Sequence, residues 1–81
     1  MFLNNNIQDN KYKFINYTFS IKKELLNQII NNNSNSRIYF DIKYDELLYK
    51  YLDSINSFNY NNICNKFVHD IYHLIPVTDT I

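Results

Sequence analysis

The stretch Ile38–Ile55, with the sequence IYFDIKYDELLYKYLDSI, contains the clearest change of hydrophobic spacing in the chain. Apolar side chains alternate over 38–42, and a period of two residues is typical of a β-strand. From Leu47 onward the apolar residues recur three and four positions apart, which indicates one face of an α-helix. We therefore predict a strand over 38–42 followed by a helix over 45–56.

The two flanking segments show the same kinds of spacing. Residues 11–21 are rich in β-branched and aromatic side chains, and Ile15, Tyr17, Phe19 and Ile21 alternate, which predicts a second strand. Helical spacing of isoleucine and leucine predicts a helix over 21–31. A stripe of apolar residues predicts a further helix over 61–75.

These segments together predict an α+β fold. A small sheet of two or three short strands (about 11–21 and 38–42) would be packed by three helices (about 21–31, 45–56 and 61–75). The polar residues 1–10 are predicted to form a flexible N-terminal arm. Residues 11–81 are predicted to form a single small domain, because a chain of 81 residues has no room for a second one.

The composition argues against several classes of function. Eight basic and eight acidic residues give a formal net charge of zero, whereas nucleic-acid binding proteins cluster lysine and arginine. No apolar run approaches the ~20 residues of a membrane span. The single cysteine, Cys64, rules out a disulfide within the chain and suits a reducing compartment. We predict a cytoplasmic or nuclear protein that binds neither nucleic acid nor membranes.

The chain lacks both glycine and alanine and is rich in asparagine, isoleucine, lysine, tyrosine and phenylalanine. The depleted residues have GC-rich codons. This composition therefore indicates an AT-rich genome, and much of the asparagine reflects that bias rather than function.

Candidate catalytic and metal-binding residues are few. His69 and His73 are four positions apart on the predicted helix over 61–75, so both could reach a metal. Two further ligands would be needed, and we predict no metal site. Cys64 beside a histidine could act as a nucleophile. It lies on the apolar stripe, however, and no glycine-rich oxyanion or phosphate loop exists. We predict no enzymatic activity and no cofactor.

The sequence Leu52–Ile55, LDSI, resembles the Asp-Ser-Leu or Asp-Ser-Ile motif of acyl and peptidyl carrier proteins. In that family the serine carries phosphopantetheine, so the resemblance would make Ser54 the attachment site. The predicted strand over 38–42 has no place in a helical carrier, and we keep this interpretation as an alternative.

The sequence Phe19–Leu26, FSIKKELL, resembles the Phe-x-Val-His-Lys-x-Val-Leu stretch of BTB/POZ domains, with Lys22 in place of the histidine. Residues 38–42 and 47–54 are similar to the strand and helix that follow in that family. The resemblance covers about 17–74 and is to a reduced form of the fold, as in Skp1 and elongin C. It implies an adaptor that binds a second copy of itself, a cullin-type scaffold or a short helix of a substrate receptor.

We therefore predict a non-enzymatic protein–protein interaction module, of the BTB/Skp1/elongin C adaptor type, that binds a protein partner or forms a homo-oligomer. Aromatic residues are enriched in protein interfaces. The predicted contact residues are accordingly Tyr49, Tyr51, Phe58, Tyr60 and Tyr72. The small size, AT-rich coding and lack of catalytic groups also suit a viral or phage inhibitor of a host protein, which is a further alternative beside the carrier protein.

Overall fold

The computed structural model describes residues 2–29 and 34–74, and it consists of three α-helices. The first helix, α1, spans Phe2–Ile29, α2 spans Ser34–Leu52, and α3 spans Tyr60–Leu74. No residue in these ranges belongs to a β-strand. The α+β prediction is therefore wrong, since both predicted strands, 11–21 and 38–42, lie inside helices.

The buried residues of α1 explain why 11–21 is helical. Phe14, Thr18, Ile21 and Leu25 are all buried, at spacings of four, three and four residues. This spacing places four side chains on one helical face, whereas a strand would have split them between two faces. Of the alternating residues that predicted a strand, only Ile21 is buried.

The same spacing recurs in α2. Phe40, Tyr44, Leu47 and Tyr51 are buried, again at intervals of four, three and four residues. The alternating residues on either side of Phe40 point away from the core, because Ile38 is 57% exposed and Ile42 is 52% exposed. The alternation over 38–42 therefore combines one core residue with two surface residues.

The predicted helices agree in part with the observed ones. Residues 21–29 and 45–52 are helical as predicted, but α1 begins at Phe2 and α2 at Ser34. Residues 2–10, predicted as a flexible arm, belong to α1, and residues 53–56 follow the end of α2. The third helix lies almost where it was predicted. Residues 30, 31 and 75 of the predicted helices lie outside the described ranges.

The three helices share one hydrophobic core. The ring of Phe67 meets Phe14 at 5.7 Å and Tyr44 at 6.0 Å between centroids, in both cases edge to face. Phe67 therefore joins all three helices through a favourable aromatic geometry. Thr18 is the one buried polar residue among those described. Its hydroxyl donates to the Phe14 carbonyl oxygen at 2.9 Å and accepts from the Tyr44 hydroxyl at 3.3 Å.

The connection between α2 and α3 is held by asparagine side chains. Asn56 Oδ1 accepts the backbone N–H groups of Phe58 and Asn59 at 2.8 and 3.0 Å. Asn59 Oδ1 accepts the Asn56 N–H at 2.8 Å, and Asn59 Nδ2 donates to the Ser54 carbonyl oxygen at 2.9 Å. Asn10 Nδ2 of α1 donates to the Asn56 carbonyl oxygen at 3.1 Å. These contacts satisfy backbone groups of the connection that lie outside both helices.

Candidate protein-interaction surface

Helix α2 carries apolar side chains on its solvent-facing side as well as on the side that faces the core. At 3.6 residues per turn, Ile38, Ile42, Asp45 and Tyr49 fall on one stripe opposite the buried Phe40. Ile42 is 52% exposed and Tyr49 is 65% exposed. A helix with large apolar side chains on both sides has one side that its own fold does not cover.

A second exposed stripe lies on α1. Tyr12, Ile15 and Phe19 are three and four residues apart and are 66%, 38% and 49% exposed. Lys22 continues this stripe by one turn, and its Nζ lies 3.7 Å from Asp41 Oδ1 of α2. Asp41 lies in α2 between the exposed Ile38 and Ile42. The ion pair therefore places the exposed stripe of α1 next to the exposed stripe of α2. We call them together the outer face, made of Tyr12, Ile15, Phe19, Ile38, Ile42 and Tyr49.

Charged side chains border both halves of the outer face. Between residues 11 and 23, α1 carries four lysines and no acidic residue. Between residues 41 and 53, the chain carries four acidic residues and two lysines. Over its full length α1 also carries Asp9 and Glu24, and α2 carries three basic and three acidic residues, so charges of both signs border each helix.

The five contact residues predicted from the sequence are spread over three parts of the fold. Phe58 in the α2–α3 connection is 92% exposed, Tyr49 of α2 is 65% exposed and Tyr72 of α3 is 44% exposed. Tyr60 is partly buried against the core, and Tyr51 is buried. Only Tyr49 belongs to the outer face. Sequence reasoning missed the other five residues of that face because it assigned all five to the two predicted strands. The helical spacing of Tyr12, Ile15 and Phe19 was the available signal.

Tyr51 makes the most specific polar contact between α2 and α3. Its hydroxyl donates to Asp70 Oδ2, and His69 Nδ1 lies 3.4 Å from Asp70 Oδ1. The hydrogen bond from Tyr51 lowers the pKa of Asp70 despite its partial burial. The same bond is the main reason why the pKa of Tyr51 rises to about 12. The pair therefore favours an ionised Asp70 and a neutral Tyr51 at neutral pH.

We predict that Tyr51→Phe lowers the free energy of unfolding at pH 7 by about 1–2 kcal/mol, because it removes a hydrogen bond to a charged group. Asp70 has a lower pKa in the folded chain. Ionised Asp70 therefore stabilises the fold at pH values above its pKa in the unfolded chain, about 3.9. This stabilisation is lost as the pH falls through the pKa of Asp70 in the folded chain. Urea unfolding followed by circular dichroism between pH 2 and pH 7 should show a smaller acid-dependent loss in Tyr51→Phe than in the wild type.

Tyr49→Phe is the matched control for this prediction. Tyr49 is 65% exposed, and its hydroxyl makes no hydrogen bond among the residues described. It should keep both the stability and the pH profile of the wild type. If the two variants have the same pH profile, the bond from Tyr51 does not support Asp70 in solution.

The two histidines stack on one another on the exposed side of α3. The rings of His69 and His73 are 4.1 Å apart and 19° from parallel, and His73 Nδ1 lies 2.8 Å from the His69 carbonyl oxygen. That bond uses one nitrogen of His73. Among the described residues, no group of three or more histidine, cysteine or acidic side chains is placed to hold a metal ion.

Cys64 lies in the core rather than in a reactive site. Burial raises the pKa of its thiol, and the hydrogen bond from Tyr60 only partly opposes that effect. Because the thiolate is the nucleophilic form, the thiol at this position is poorly reactive at neutral pH. Tyr60 is itself affected, since burial and the contact with Cys64 raise its pKa to about 12.

Ser54 is exposed just after the end of α2, and its hydroxyl donates to the Lys50 carbonyl oxygen at 3.4 Å. The helical structure of 38–42 removes the strand that conflicted with a carrier fold. However, a phosphodiester on Ser54 would lie at the negative, C-terminal end of a helix dipole, which does not stabilise an anion. The end of α2 therefore gives Ser54 no electrostatic support for phosphopantetheine attachment.

An open cleft of about 400 Å³ lies between α1 and the α2–α3 connection. Its lining is polar or amphipathic, whereas small-molecule pockets are lined mostly by apolar side chains. The residues are Asp9, Asn10, Tyr12, Lys13, Asn16 and Ser57. The cleft is open to solvent, and its lining mixes polar and apolar surface.

No protein-family profile, curated protein or solved structure matches the chain. No helix within residues 2–29 and 34–74 has the length and hydropathy needed to cross a membrane. Because no known protein matches, a functional proposal must start from the structure itself. The outer face of α1 and α2 is the feature on which we base it.

Proposed function

We propose that the chain is a non-enzymatic protein–protein interaction module that binds its partner through the outer face. The observation that carries this proposal is the exposure of Phe19 and Ile42, two large apolar residues, on the outward sides of two adjacent helices. Clustered exposed apolar surface is a common mark of protein interaction sites, whereas isolated apolar residues are ordinary.

The chemistry of the outer face suits a protein partner. Tyr12 and Tyr49 each combine a large apolar ring with a hydroxyl that can remain hydrated, a combination enriched in interfaces. The aliphatic residues Ile38 and Ile42 extend this surface without adding hydrogen-bonding groups. Lysines and carboxylates border the face and would form a polar rim around an apolar centre.

The adaptor and inhibitor interpretations both involve such a surface, but they are not supported equally by the fold. The strand at 38–42 that the BTB/POZ resemblance used is helical. The resemblance itself stays a prediction, and the proposal does not depend on it. A viral or phage inhibitor would need only an exposed apolar face. The single buried thiol of Cys64 suits a reducing compartment for either role.

Site-specific photo-cross-linking in cells that express the chain tests the proposal. A benzophenone amino acid in place of Tyr49, on the outer face, should give a covalent adduct of defined mass. The same replacement at Tyr72, which is exposed on α3, is the matched control and should give none. The adduct should disappear when Phe19→Gln and Ile42→Gln are added.

Absence of an adduct from position 49, or equal adducts from both positions, would contradict the proposal. Circular dichroism of each variant establishes that it is folded. The changed side chains are exposed, so the substitutions should leave the helices intact.

A further inference from the structure

We propose that His69 and His73 of α3 together bind one divalent transition-metal ion, with water in its remaining coordination positions. Residues four apart on a helix are neighbours on one face, and two histidines at this spacing can ligate the same ion. The chain contains no other histidine. The site lies on α3, outside the outer face, and it does not depend on the function proposed for that face.

The hydrogen bond of His73 leaves one of its ring nitrogens available to a metal. His73 Nδ1 lies 2.8 Å from the His69 carbonyl oxygen. A carbonyl oxygen can only accept a hydrogen bond, so Nδ1 carries the hydrogen and Nε2 of the neutral ring has a free lone pair. The bond made by one ring nitrogen decides which nitrogen ligates a metal. His73 is therefore set to ligate through Nε2.

His69 has the kind of partner that metal-binding histidines commonly have. Its Nδ1 lies 3.4 Å from Asp70 Oδ1, and the Tyr51 hydroxyl of α2 donates to the other oxygen of that carboxylate. A carboxylate that accepts from one ring nitrogen orients the imidazole and makes the other nitrogen a stronger ligand. Asp70 is therefore a positioning residue in this site, and His69 ligates through Nε2.

The two rings must tilt towards each other to share an ion. They are stacked, with centroids 4.1 Å apart and planes 19° from parallel. Two nitrogen ligands at about 2.0–2.1 Å from a tetrahedral ion are roughly 3.4 Å from each other. The side chain of His69 is 68% exposed and His73 is also exposed. Because neither ring is packed in the core, the core does not oppose this movement.

The ligands favour one class of metal ion. Imidazole nitrogen suits Zn²⁺, Cu²⁺ and Ni²⁺, whereas Mg²⁺ and Ca²⁺ take oxygen ligands. The sequence predicted no metal site because two further protein ligands would have been needed. An exposed pair does not need them, since water can fill the open positions of a zinc ion. Zn²⁺ is therefore the probe for the site.

Isothermal titration calorimetry of the full chain, prepared without a polyhistidine tag, tests the proposal. We expect the wild-type chain to bind one Zn²⁺ ion and to show no binding of Mg²⁺. His73→Gln should weaken Zn²⁺ binding at least about tenfold, because the helix no longer holds a second imidazole at high effective concentration beside the first. His69→Gln should have an effect of the same size.

A chain with both His73→Gln and Asn61→His is the matched control. It keeps two histidines, but positions 61 and 69 are about 12 Å apart along the helix and roughly 80° apart around it. This chain should bind Zn²⁺ no better than His73→Gln alone. Circular dichroism establishes that each variant is helical. A control that binds like the wild type, or a wild type without saturable binding below about 1 mM Zn²⁺, would overturn the proposal.

Nuclear magnetic resonance of the ¹⁵N-labelled chain identifies the ligating atoms. Added Zn²⁺ should shift the Nε2 signals of both His69 and His73, while each Nδ1 keeps its hydrogen. A shift confined to one ring, or metal binding through Nδ1, would contradict the shared site.

Discussion

Replacing Phe67 with alanine is expected to lower the free energy of unfolding by about 3–5 kcal/mol. The Phe67 side chain is fully buried, and its ring meets those of Phe14 and Tyr44 edge to face. The cavity would therefore open where all three helices meet, and two aromatic contacts would be lost as well. A chain of 81 residues has a total stability of roughly 4–12 kcal/mol, so the variant should be at the limit of folding. Urea unfolding followed by far-ultraviolet circular dichroism measures the loss.

Phe58→Ala is the matched control, because it removes the same side chain from a site that is 92% exposed. The asparagine bonds that hold the α2–α3 connection involve the backbone of Phe58 and not its ring. The change in stability should therefore be within about 0.5 kcal/mol of zero. Equal losses in the two variants would mean that Phe67 is not at the centre of the core.

A second large effect is expected from Phe40→Gln. Phe40 is fully buried, and its ring lies 6.4 Å from that of Tyr44. The substitution loses about 3–5 kcal/mol through removal of the apolar ring, and burial of an unpartnered amide adds to that loss. Glutamine is a good helix former, so the loss would report packing rather than helix propensity. The same unfolding measurement applies.

The sequence contained the core pattern but also a competing one. Phe14, Thr18, Ile21 and Leu25 are spaced for a helix, and this spacing could have predicted α1 over residues 11–25. The prediction failed because apolar residues also occupy the solvent side of the same segment. Thr18 added to the difficulty, since a buried threonine is not part of an apolar pattern.

Composition explains why solvent-facing positions gave a misleading signal. The usual small helix former, alanine, is absent, and isoleucine, tyrosine and phenylalanine occupy exposed helical positions such as Ile15 and Phe19. β-Branched and aromatic residues favour strands on average, but tertiary packing overrides that preference. The third helix was predicted well because its buried residues, Ile63, Phe67 and Ile71, show helical spacing without a competing alternation.

The interaction surface could be predicted only in part. Tyr49 was named from the sequence because exposed aromatic residues suit interfaces, and it lies on the outer face. Tyr51 is two residues away and is buried, because two residues turn a helix by about 200°. Phe19 and Ile42 were missed because a sheet would have hidden them. Identification of the outer face therefore required the helical register of α1 and α2.

The stability of a chain carrying Ile38→Gln and Ile42→Gln tests whether residues 38–42 are helical and present their isoleucines on the surface. The measurement is the free energy of unfolding in urea. Because both side chains are more than half exposed, we expect a value within about 0.5 kcal/mol of the wild type. A strand that buried Ile38 and Ile42 beside Phe40 would instead lose several kcal/mol, about 2–5 kcal/mol for each buried side chain, and that result would contradict the account.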